Sequence, residues 1–308
     1  MQYRSILTRR VLAWAFYDWA NSAFALSVLA VLFPLFMGAY WSAGDSGAVA
    51  TARLAWINAI ASAFICVLSP IFGSIADAGG LRKRFLFVLT LIGAAATALL
   101  GAVGEGGWAL AGLFFILGSL GYYGSTIFYD SLIIDVTKPR NYSYVSSLGF
   151  AIGYFGGAVL LTLHVVMLTN PSGWGFESAT AVIRFAFVSV GLWWACFALP
   201  LLFFVHESKS TTAVRKDVVR AAYRELRSTL RRISQYRNVV IFLIAYWLYI
   251  GGVFTVITMA VNYGQRLGFE QQDLVMALLI TNFAGFPATI LYGMFGHRFG
   301  PRPGIYLA

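Results

Sequence analysis

Asp18 stands about seven residues into the first apolar run, with Asn21 and Ser22 three and four residues further on. At 3.6 residues per turn those three side chains share one helix face. A carboxylate inside an apolar span is costly to bury and by default marks a functional site. The alternative is an aspartate hydrogen-bonded to a neighbouring helix for structural reasons alone. A second group sits on the fourth apolar run, where Tyr122, Tyr123, Tyr129 and Asp130 lie within the span and Asp135 near its end. Asp130 either adds a proton site or faces water, and Asp135 is expected to pair with Lys138 or Arg140. On the seventh run Tyr246, Tyr249, Thr255, Thr258 and Asn262 supply hydroxyls and an amide, although tyrosines also serve as interfacial anchors.

Two loops carry a different kind of chemistry. Between the second and third runs, Gly73, Asp77, Gly80, Arg82, Lys83 and Arg84 fall in one short segment, PIFGSIADAGGLRKR. A carboxylate there is favoured beside the three cations or at a helix N-terminus. The plainer reading is that Asp77 caps the third helix and the cations set topology. The pattern returns 220 residues later as Gly293, His297, Gly300 and Arg302, with a histidine where the first copy has its aspartate. A loop repeated between apolar runs at that period points to two related bundles, as transporters have.

Other chemistries find no support. Cys66 and Cys196 both lie inside apolar runs, and His164, His206 and His297 are scattered, so neither a disulfide framework nor a metal site is indicated. No Ser/His/Asp arrangement and no phosphate-binding loop appears, so an enzyme is not expected and no cofactor is implied. The glycines Gly149, Gly153, Gly156 and Gly157 read as a packing face for the fifth helix rather than a ligand site.

The elements that must position these residues are membrane spans. The chain is 59% hydrophobic and 11% charged, against about 25% charged in soluble domains. At roughly 20 apolar residues per span, eight spans are predicted, over 11–39, 52–76, 85–104, 108–134, 143–168, 180–205, 238–261 and 273–296. A ninth apolar segment begins at the end of the sequence. The first run is far longer than the core of a cleaved signal peptide and is expected to stay as a span. Of 22 Lys and Arg residues, 19 fall on one side of this arrangement, and Arg53, Arg184 and Arg266 lie at or near the opposite ends. That asymmetry places the N-terminus, the repeated loops and the middle segment in the cytoplasm. It also accounts for the net charge of +10 without nucleic acid.

The middle segment, 206–237, holds nine of those cations. Val214, Val218, Ala222, Leu226, Leu230 and Ile233 follow helical spacing, with Lys216, Arg220, Arg224, Arg227 and Arg231 opposite. This predicts a basic amphipathic helix able to lie on anionic headgroups or to link two bundles.

The 70–84 segment resembles the loop between the second and third helices of the major facilitator superfamily. The runs AFYDWANSAF (15–24), FYDSLIIDV (128–136), SSLGFAIGYFGG (146–157) and AYWLYIGGVFTVITMAVNYG (245–264) resemble the vacuole-effluxer, autophagy-related group within it. The resemblance implies an all-α polytopic membrane protein of major facilitator fold, with a six-helix bundle over 1–205, a linker over 206–237 and a partial second bundle over 238–308. It implies alternating access, a cavity lined by the first, fourth, seventh and tenth helices of the family's fold, and a gating role for Asp77 against the other half. It further implies a small polar solute, an amino acid being the nearest guess. Proton coupling through Asp18, with Asp130 as a second site, is expected from the two intramembrane acids themselves. Relatives carry an acidic or amide group near Gly251 and Gly252, and a neutral amide near position 130, so this chain departs at both places. Because the family has twelve helices, the chain is expected to be part of a longer protein or a truncated product, unable to transport alone. The competing expectation is a non-transporting membrane scaffold, regulator or inactive remnant.

Overall fold

A computed structural model describes residues 6–78, 81–208, 224, 227–228, 231–233 and 235–299; the side chains of Asp77, Ala78 and Phe299 lie outside that description. The described part contains eight helices long and apolar enough to cross a membrane. They are α1 (Arg9–Trp41), α2 (Gly47–Ala78), α3 (Arg82–Leu100), α4 (Trp108–Ser131), α5 (Tyr142–Thr169), α6 (Ala179–Phe204), α7 (Arg237–Arg266) and α8 (Gln271–Phe299). All eight predicted spans are present, in order. The all-α membrane architecture is therefore what the composition requires, since a helix satisfies its own backbone within lipid. The expected basic helix after residue 208 lies largely outside the described residues.

Local signals set the ends. Thr8 caps α1, its hydroxyl accepting the Val11 amide at 3.3 Å, and Ser178 caps α6 from the Ala181 amide at 3.2 Å. The reversals at Gly106 (φ 73°) and Gly268 (φ 91°) need backbone angles open to glycine. Within α1 the backbone is π-helical over Phe24–Leu32 and again over Met37–Trp41. The span therefore continues to Trp41, beyond the predicted end at residue 39. α2 likewise starts at Gly47 rather than 52, its first turn standing outside the apolar stretch.

Packing follows side-chain size. In the first bundle α1 packs on α5 and α6, α3 on α4 and α6, and α2 on α4. Glycine permits the tightest crossing: a Cβ on Gly121 would fall 2.5 Å from the Gly93 Cα. Beneath it a core of Phe24, Phe33, Phe115, Phe187 and Trp194 fills the bundle. Of the second-half helices, α8 packs along α5, whereas α7 leaves most of its surface exposed and buries only Val261 and Gly264.

Candidate functional site

α1 and α4 enclose Asp18. The Tyr129 hydroxyl donates to Asp18 Oδ2 at 2.9 Å. Tyr129 is itself held by Trp14, whose ring stacks on it at 4.3 Å and whose indole N–H donates to the Tyr129 carbonyl at 3.0 Å. Tyr17, on the same face of α1, shares a 2.7 Å hydrogen bond with Thr90 of α3. The remaining wall is glycine. A methyl on Gly149 would lie 2.7 Å from Asp18 Oδ2 and 2.8 Å from the Tyr129 hydroxyl, and one on Gly153 would lie 2.6 Å from Ser22 Oγ. The expected packing face of α5 is thus the floor under Asp18 and Ser22. Asp18 is buried, receives one protein donor, and pairs with no cation among the described residues. A carboxylate has room for about four hydrogen bonds, so this one is left under-satisfied by the described residues. Asn21, one turn on, is also buried, and its Oδ1 has no partner among the described residues.

On the fourth helix Tyr122 and Tyr123 meet edge-on, ring centroids 5.0 Å apart, and differ in their further neighbours. Tyr122 turns into the first bundle, with ring centroids 5.5 Å from Phe24 and 6.3 Å from Trp194. Tyr123, about 100° around the helix, meets Phe254 of α7 edge-on at 5.4 Å. Thr126 and Asp130 follow Tyr123 at three and seven residues, so they share the face that looks across at α7. Asp130 is exposed on that face and makes no hydrogen bond or ion pair among the described residues.

The seventh-helix candidates do not gather around Asp18. Tyr246 and Tyr249 are 54% and 69% exposed. Asn262 instead accepts a 3.3 Å hydrogen bond from Thr51 of α2, at the end away from the basic loops. The cause is the seating of α7, which meets the first bundle through Phe254 and its last turns.

At the basic end the arrangement differs from expectation. Asp135 pairs with Arg82 of α3 at 3.2 Å, and not with Lys138 or Arg140 of its own loop. Arg82 also donates to Glu207 Oε1 at 3.2 Å and to the Ser131 carbonyl at 3.0 Å. Glu207 accepts the Arg82 and Lys83 backbone amides at 2.9 and 3.4 Å, so it is the anion at the α3 N-terminus. Lys83 closes the other side, its ammonium donating to the Leu202 and Val205 carbonyls at the end of α6, at 2.7 and 2.5 Å. Ser208 adds a bond to Asp135. Nothing in the sequence marks Glu207: it is an isolated acid beginning a basic segment, 125 residues from its partner. Gly73 lies within α2 with open space beside it, while Gly80 and the Asp77 side chain are outside the description.

In the second copy, His297 Nδ1 lies 3.2 Å from the Arg140 carbonyl and its ring 6.3 Å from Tyr144. Gly293 seats against Ser147, where a Cβ would meet Ser147 Cβ at 2.5 Å. Gly300 and Arg302 are outside the described residues. The repeated loop thus touches the first bundle through α5.

The comparisons with known proteins agree with this geometry. A family profile described as "Vacuole effluxer Atg22 like" matches residues 47–304. The MFS-type transporter YxiO of Bacillus subtilis (strain 168) is 34% identical over 305 residues, covering 97% of this chain and 70% of YxiO. Autophagy-related protein 22 of Coccidioides immitis (strain RS) is 26% identical over 186 residues, covering 56% of this chain and 30% of that protein. Among solved structures, the partially occluded inward-open xylose transporter XylE of E. coli superposes with TM-score 0.59 at 14% identity, over 96% of this chain and 74% of that one. With eight spans among its described residues, its repeated motif and these relatives, the chain belongs to the vacuole effluxer Atg22-like family of MFS-type membrane transporters.

Proposed function

We propose that the chain works in a secondary transporter of alternating-access type, with one bundle over 1–205, a second beginning at 238, and the 206–237 segment as linker. The solute is small and polar and carries an ammonium group, an amino acid being the best fit. The observation that supports this reading is Asp130, an unpaired acid on the α4 face that looks across at α7. Seven residues are about 10 Å along a helix. Because α4 and α7 run antiparallel, Asp130 stands level with Tyr246 and Trp247, both exposed toward open space. Carboxylate and aromatic faces together suit a primary ammonium. The excess of Lys and Arg on one side supports a cytoplasmic N-terminus, and the Bacillus relative supports a bacterial plasma membrane.

Thermal unfolding of the purified chain against a panel of amino acids, amines, carboxylates and sugars tests the solute class without requiring transport. Solutes bearing an ammonium are expected to raise the midpoint, and Asp130→Asn to abolish the rise. Stabilisation by sugars alone, or an undiminished effect in D130N, contradicts the assignment.

Asp18 supplies the proton site in this reading, buried beside a single donor and a glycine floor. Adding a stabilising amino acid to weakly buffered wild-type protein is expected to exchange protons with the medium, read by a pH indicator. In Asp18→Asn that exchange is expected to vanish; equal proton exchange in both proteins sinks the coupling role.

A further inference from the structure

At the end of the molecule away from the basic loops, α7 packs on the Phe24–Phe36 stretch of α1 and on α8, and its last turns reach the start of α2. Val261 is buried there, and Gly264 receives the Leu274 side chain of α8. Arg266, the last residue of α7, reaches across to the first turn of α2. Its Nη2 and Nε donate to Thr51 Oγ1 at 2.6 and 3.2 Å. The guanidinium is seated over Gly47, where a Cβ would stand 3.1 Å from both Nη atoms. The Thr51 hydroxyl has one proton of its own, shared between the Gly47 carbonyl at 2.9 Å and Asn262 Oδ1 at 3.3 Å. One threonine thus joins two side chains of α7 to the start of α2.

The chemistry of this contact differs from that at the basic end. Arg82 is fixed by two carboxylates, whereas Arg266 bonds across the gap to a neutral hydroxyl. The nearby acid, Asp45, is engaged by Arg53 at 2.5 Å, and Arg53 also lies over the Trp108 ring at 4.5 Å. Gly47 is the first residue of α2, so the Arg266 cation faces the positive end of a helix dipole, which weakens the contact. A cation bonded to a neutral hydroxyl at an exposed edge, with no carboxylate among the described residues to answer its charge and water free to compete, is held only weakly. Such a contact holds geometry and still releases.

We propose that Arg266, Thr51 and Asn262 form a releasable polar latch between the two halves, and that breaking it opens the space between them toward the side opposite the basic loops. This rests on the alternating-access reading above, and it assigns Asn262 to gating rather than to the solute.

The test is a distance measurement by pulsed electron paramagnetic resonance on the full chain. Spin labels at Val49→Cys and Leu267→Cys report the gap, with Cys66→Ser and Cys196→Ser removing the native thiols. The unaltered latch is expected to give a predominant short distance. Arg266→Gln and, independently, Thr51→Val are expected to raise a longer-distance population about fivefold, the effect of losing roughly one hydrogen bond. Thr51→Asp, which sets a carboxylate against Arg266, is expected to remove the longer population. Unchanged distributions in both R266Q and T51V, or broadening in T51D, overturn the latch. Failure of the solute panel with these distance changes intact would count against the transport reading and leave the latch standing.

Discussion

Arg82→Ala is expected to lower the stability of the chain by about 3–5 kcal/mol, the usual cost of removing one partner from a buried ionic cluster. The side chains of Arg82, Asp135 and Glu207 are only 7%, 4% and 10% exposed, so solvent cannot screen what remains. Without the guanidinium, Asp135 keeps the Ser208 hydroxyl and Glu207 keeps two backbone amides and the more distant Lys83 charge, and neither has a cation within ion-pair distance among the described residues. The Ser131 carbonyl also loses its donor. Arg82→Lys is expected to fall between, because an ammonium retains the charge but cannot address two carboxylates and a carbonyl with one planar fork. Thermal unfolding of the purified proteins in one detergent decides the matter; wild-type stability in R82A would show the cluster to be incidental.

Gly121→Val is expected to cost about 3 kcal/mol or to prevent folding, at or above the upper end of overpacking penalties. A Cβ at position 121 would stand 2.5 Å from the Gly93 Cα and 2.7 Å from both the Gly93 nitrogen and the Leu89 carbonyl. All three are backbone atoms, so no rotamer change relieves the contact and α3 must move away from α4. That movement also disturbs Trp194, which fills the space over Gly93 from α6. Gly73→Ala is the matched control, since open space surrounds that position, and it is expected to be near neutral for folding. The recovery of monodisperse protein and its unfolding midpoint separate the two. Equal behaviour of G121V and G73A would contradict the crossing.

The spans were legible because each is a long apolar run, and length alone separates a membrane helix from its loops. The same logic gave the packing face of α5, since four glycines at helical spacing have little use other than close approach. Partners across the fold were not legible. Helical spacing placed Asp18, Asn21 and Ser22 on one face but held no information about Tyr129, 111 residues away. Proximity in sequence likewise favoured Lys138 and Arg140 for Asp135, whereas the fold brought Arg82, which is fully able to compete once α3 and α4 lie side by side. Tyr122 and Tyr123 look equivalent and touch each other, yet one ring goes on to Trp194 and the other to Phe254, a distinction set by about 100° of rotation rather than by residue type. Thr51, half-buried beside Asn262 and Arg266, carried no signal at all, because its role arises only where two distant helix ends meet.

The contact of α8 with α5 has a mechanical consequence. Gly285 lies on Tyr154, Gly293 on Ser147 and Gly296 near Ser143, an antiparallel register of glycine against side chain, and Phe155 stands against Phe283 and Phe286 in the same seam. Such a seam is shallow at its glycines and gripped where the Phe155 ring meets Phe283 and Phe286. It has the make-up of a bearing with a catch. Bulk introduced at Gly293 would wedge α8 away from Ser147 of α5 while leaving the α3–α4 crossing untouched.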